Sequence, residues 1–140
     1  MAALFDPLVV AIGKHVCAGE VLHADDTTVK VLAPGLGRTK TGRLWAAVRL
    51  TRYTTDGRLE MTNNAVERAI RPLAMTRKNY LFAGSDSGGI RAAAMYTLIE
   101  TTKMNGLDPE AYLRDIIARI ADHPINRIAE LLPWNWRPTG

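Results

Sequence analysis

The chain drops its period of two abruptly after Leu50, and that change limits the folds open to it. Up to Leu50 the apolar residues alternate over short stretches: Val21 to Asp25, Thr28 to Leu32, and then Leu44, Ala46, Val48 and Leu50. A period of two sends successive side chains to opposite faces of a strand. From Tyr53 to Gly57 the sequence turns polar, and beyond it the period is helical almost to the end. Strands followed by helices predict an α+β fold.

Within that frame the punctuation places the elements. Asp6-Pro7 predicts a helix start, with Leu8, Val9, Ile12 and Val16 as its apolar stripe and Gly19 as its stop. The two alternating stretches before Ala33 break at Thr27-Thr28, and P-G-L-G-R-T-K-T-G joins them to the Leu44 strand as a hairpin with a basic loop carrying Arg38 and Lys40. That loop lacks G-x-G-x-x-G and G-K-[ST], which argues against a nucleotide site. A helix from about Gly88 to Met104 is expected, capped by Asp86 or Ser87 and closed by Asn105-Gly106. Asp108-Pro109 starts another, with Leu113, Ile116, Ile117 and Ile120 as core, and His123-Pro124 breaks it. Ile125 to Leu132 allows one or two further turns.

Composition excludes several classes. With 140 residues, 47% of them apolar and 23% charged, the chain is one domain's worth of globular protein. Its apolar runs are too short to span a membrane, and its N-terminus lacks a signal-peptide pattern, so a cytoplasmic location is expected. The formal net charge of +4 permits an anionic partner. Cys17, the single cysteine, rules out an internal disulfide and is expected as a small buried helix residue.

The chemistry concentrates between Thr62 and Phe82. Asn64 can cap a short helix that Pro72 ends, Glu67 can reach back to the cap, and Val66, Ala69, Ile70 and Leu73 form its core face. Glu67 projects among Arg68, Arg71, Arg77 and Lys78. Such an acid is either a structural one, paired at i, i+4 with Arg71, or a metal ligand beside a phosphate-binding surface.

Asp25 and Asp26 end an alternating stretch, so they point to opposite faces and only one can join a given site. Turn formation explains them without function. Pairing Asp25 with Glu67 has a chemical motive: phosphoryl transfer on nucleic acid by two Mg²⁺ ions needs carboxylates converging from separate elements, with cations holding the backbone. His15, His23 and His123 lack metal-ligand spacing, and Ser85 and Ser87 lack a nucleophile context. Trp134 and Trp136 are expected to anchor the C-terminal tail on the core rather than stack on bases.

L-H-A-D-D-T-T-V-K-V-L-A-P-G-L-G-R-T-K-T-G-R-L-W resembles the segment around the first catalytic aspartate of insertion sequence 66 family transposases. G-R-L-E-M-T-N-N-A-V-E-R-A-I-R-P-L-A-M-T-R-K-N-Y-L-F-A-G-S-D is similar to the family's catalytic-glutamate segment. N-G-L-D-P-E-A-Y-L and E-L-L-P-W-N-W are similar to its C-terminal region. The resemblance implies a DDE transposase with a ribonuclease-H-like fold, in which two aspartates and a glutamate bind Mg²⁺. By match, Asp25 is the first aspartate and Glu67 the glutamate, while Asp26 stands where the family usually has a glutamate outside the triad.

In the family a long region holding the second catalytic aspartate separates these blocks, whereas here the strand ending near Arg49 runs almost directly into Thr55-Asp56-Gly57-Arg58. Asp56 belongs to the lead-in of the glutamate block and does not substitute. The family's N-terminal DNA-binding region is not matched either. The expected division is therefore a partial catalytic core (1–53), a glutamate segment (54–83) and a helical C-terminal region (84–140). It implies an internally deleted transposase remnant, inactive in strand transfer alone. The alternative is a non-catalytic module that binds DNA through Arg38, Lys40, Arg68, Arg71, Arg77 and Lys78 or pairs with an intact transposase. A solvent-facing basic helix without function is the third reading.

Overall fold

The computed structural model describes residues 2–18, 22–49, 64–76 and 83–138. Its elements run α1 (Ala2–Cys17), β1 (Leu22–Ala33), β2 (Arg38–Arg49), α2 (Asn64–Thr76), α3 (Asp86–Met104), α4 (Pro109–Arg119) and a 3-10 helix (Ile125–Leu131). The architecture is α+β, as the change of period predicts. No described helix is long and apolar enough to cross a membrane. The chain forms two compact units: one joins Met1–Lys14 to Arg91–Gly140, and the other is His15–Ile90.

The first unit is helical. Phe5, Leu8 and Ile12 of α1 are buried, as are Ala94, Leu98 and Thr102 of α3, Tyr112 and Ile116 of α4, and Ile120 just beyond it. The α4 stripe therefore runs through Tyr112, while Ile117, an expected core residue, is exposed. Helix α1 begins before Asp6-Pro7 and carries Pro7 inside it. An internal proline costs about 3 kcal/mol or more, and burial of Phe5 on the upstream side of Pro7 offsets it. Cys17, at the end of α1, is exposed rather than buried.

The ends of α3 and α4 are closed locally. Gly106 has φ +72°, its N–H donates to the Lys103 carbonyl at 2.9 Å, and the Leu107 N–H donates to the Thr102 carbonyl at 3.2 Å. These two bonds are the Schellman closure that Asn105-Gly106 predicts. The Asp108 carboxylate accepts from the Glu110 and Ala111 amides, and Pro109 opens α4. Helix α4 ends at Arg119 with Ile120 as its cap, short of His123-Pro124.

The tail is anchored as expected of its tryptophans, with Trp136 buried. Its ring meets Tyr112 edge-on at a centroid distance of 5.6 Å. The Tyr112 hydroxyl donates to the Leu131 carbonyl at 2.7 Å, and burial, then the Asp115 charge, pushes its pKa upward.

The second unit is built on an antiparallel hairpin in twelve-residue strands, with Leu22 opposite Arg49 and Ala33 opposite Arg38. Strand β1 passes through Thr27-Thr28 without the expected break. Both residues are β-branched or strand-compatible threonines, and their partners Leu44 and Arg43 keep the alternation intact. Residues 34–37 make the turn, with Gly35 at φ +81° and Gly37 at φ +59°. A turn this short leaves Arg38 and Lys40 in β2 rather than in a loop.

Val29 and Val31 are buried on one face of the hairpin, and α2, with Val66 fully buried, packs on both strands. Helix α2 runs through Pro72 to Thr76 instead of ending there. The bond lost is to the Arg68 carbonyl, on a helix whose Arg68 and Arg71 are exposed. Beyond α2, Ala83 pairs in parallel with Val31: its N–H donates to the Lys30 carbonyl at 2.7 Å and its carbonyl accepts from the Leu32 N–H at 2.8 Å. Ser85 then caps α3, its hydroxyl accepting from the Gly88 N–H at 3.0 Å. The expected cap Asp86 instead pairs with Lys40 at 2.7 Å.

Candidate functional site

Asp25 and Asp26 lie well inside β1, not at a strand end, because the ladder continues past them to Ala33. Alternation sends them to opposite faces. Asp25 shares its face with Val29 and Val31, and its Oδ1 accepts the Asp26 N–H at 2.8 Å. Asp26 lies on the outer face opposite Trp45, and its Oδ2 binds Arg43 Nη1 at 2.7 Å. The Asp26 side chain is 22% exposed and that of Arg43 61%.

Glu67 is exposed in the first turn of α2. Among the described residues it forms no ion pair, so the i, i+4 contact to Arg71 is not made. Its proposed return to the helix cap involves the Asn64 side chain, which lies outside the described residues. Asp25 and Glu67 thus sit on two elements that pack together in one unit, β1 and α2. Among the described residues no three His, Cys, Asp or Glu side chains come close enough to hold a metal ion. Among the described residues the carboxylates do not make the donor set that a two-metal mechanism needs.

The expected cations divide between strand and helix. Arg38 and Lys40 are exposed on β2, with Lys40 held by Asp86; Arg68 and Arg71 are exposed on α2. Arg77 and Lys78 lie outside the described residues. No motif marks the outer face of the hairpin, which carries Arg43, Asp26 and Trp45. The signal was present in the period, since Arg43 and Trp45 share a face with any residue opposite either of them, but the register was needed to bring Asp26 there.

Comparison with known proteins gives this geometry its lineage. The model of the family described as Transposase IS66 family matches residues 1–49 and 47–91, and that of the IS66 C-terminal element matches residues 97–134. The chain belongs to the IS66 family of transposases. It is similar to three proteins of Sinorhizobium fredii (strain NBRC 101917 / NGR234). It is 54% identical to "Uncharacterized protein y4hP" over 61% of this chain and 15% of that protein. It is 52% identical to "Uncharacterized protein y4qI" over 64% and 17%, and 42% identical to "Uncharacterized protein y4jD" over 63% and 18%. The matched part is less than a fifth of the length of each relative. No solved structure matches the chain.

Proposed function

We propose that the chain is an internally deleted remnant of a DDE transposase, retaining the acids Asp25 and Glu67 of the ancestral site without strand-transfer activity of its own. The observation that carries this reading is the break in the family match, which falls in two pieces meeting at residues 47–49. The resemblance locates the second catalytic aspartate in a region between those two blocks. The paired hairpin, with Ala83 added in parallel beside β1, is then the surviving part of a ribonuclease-H-like sheet. In the intact family Mg²⁺ would supply the clamp on attacking and leaving oxygens; the acids among the described residues do not form its donor set. The test is a Mg²⁺-dependent cleavage and strand-transfer assay with transposon-end DNA. No product is expected, and product formation lost on Glu67→Gln would overturn the inactive reading.

A second reading, a non-catalytic DNA-binding module, is favoured by one observation: Arg38, Arg68 and Arg71 are exposed on two elements that pack together. DNA retention that falls steeply with salt and weakens on Arg71→Ala plus Arg68→Ala is its expected signature. Absence of binding at low salt would count against it. Pairing with an intact transposase copy is tested by co-purification of the two chains.

A further inference from the structure

Trp45 is the most water-exposed tryptophan described, at 68%, although it stands within a paired strand. Its surroundings explain why the ring is open. On the outer hairpin face its neighbours on one side are Ala47 and the opposing Ala24, both exposed and too small to cover an indole. On the other side is Arg43, with Asp26 directly opposite the ring. The 2.7 Å pair fixes Arg43 through Nη1, one of the several N–H-bearing nitrogens of its guanidinium. Further along the same face Lys30 is exposed, its ammonium 3.3 Å from Thr41 Oγ1. An open indole beside a positioned guanidinium and a lysine is complementary to a base joined to phosphates.

We propose that Trp45 is a stacking platform for an unpaired base of single-stranded DNA, with Arg43 and Lys30 holding the adjoining phosphates. The inference rests on the DNA-binding reading above and names the form of DNA. A duplex keeps its bases stacked inside and offers the ring nothing; a single strand offers a π-face at each nucleotide.

The test uses the full chain and two fluorescein-labelled strands of about 16 nucleotides, one of oligothymidine and one of abasic units with the same phosphates. Binding is read by anisotropy at low salt. The expected result is oligothymidine bound about five- to a hundredfold more tightly than the abasic strand, the worth of one base–aromatic stack. Trp45→Thr, which keeps a strand-forming residue, removes that preference and leaves abasic binding unchanged; Trp45→Phe retains most of it and guards against a folding defect. Equal binding of both strands, weakened by Arg71→Ala, would overturn the stacking site while leaving the DNA-binding reading intact. Failure to bind either strand would overturn both. A dimer in sedimentation velocity that Trp45→Thr dissociates would assign the ring to a second copy of the chain instead.

Discussion

The indole nitrogen of Trp136 donates to Asp115 Oδ2 at 2.7 Å, and the same oxygen accepts from Arg119 Nη1 at 2.7 Å. One carboxylate thereby ties the C-terminal tail to α4 and orders a side chain one turn further along the helix. A hydrogen bond to a charged group is worth about 1.5–3 kcal/mol. Trp136→Phe keeps most of the ring and loses the donor, so urea unfolding should show a loss of about 1–2 kcal/mol, Arg119 still satisfying the acid. Trp136→Ala also empties a buried site and should cost about 3–5 kcal/mol.

Tyr112 makes stability depend on pH at the alkaline end. Burial raises the pKa of its hydroxyl in the folded state, so the folded chain keeps the proton at pH values where the unfolded chain loses it. The contribution is complete below the unfolded value of about 10 and declines as pH rises beyond it toward the folded value. Thermal melts should fall progressively above that pH. Tyr112→Phe should flatten this limb and, by orphaning the Leu131 carbonyl, lower stability at neutral pH by about 1–3 kcal/mol.

Gly106 holds a left-handed conformation that an L side chain adopts only with strain. Gly106→Ala should cost about 1–2 kcal/mol in thermal or urea unfolding. Gly106→Asn, which tolerates the conformation better, should recover part of it.

Glu67 is exposed and without an ion pair among the described residues, so its removal should leave the fold unaffected. Glu67→Gln is expected to change unfolding free energy by no more than about 0.5 kcal/mol. A larger loss would return Glu67 to a structural role and weaken its assignment as an inherited catalytic acid.

The period, the caps and the glycines made most of the architecture legible. Asp108-Pro109 and Asn105-Gly106 follow local rules that involve a few neighbouring residues, and the tryptophan tail is legible from its composition near the C-terminal end. The errors share a cause, which is that packing overrides a local signal. Pro7 and Pro72 read as helix boundaries, yet buried Phe5 and the packing of α2 on the hairpin carry the helices through them. Thr27-Thr28 resembles a break along one strand, and only the register supplies their cross-strand partners. In the candidate site, the types and faces of Asp25 and Glu67 were legible, whereas the Arg43–Asp26–Trp45 grouping depends on which residues stand opposite each other. No rule of spacing along one strand supplies that.

The membership of the first compact unit also bears on how the protein is made. Residues 1–14 belong with residues 91–140, and everything between them belongs to the other unit. The apolar stripe of Phe5, Leu8 and Ile12 is synthesised before the hairpin, but the segment that shares its unit is synthesised after it. Until then the nascent chain carries an uncovered greasy helix ahead of the hairpin, and a ribosome that stalls between the two halves of this unit releases a product with that helix exposed, a natural substrate for chaperones and proteases.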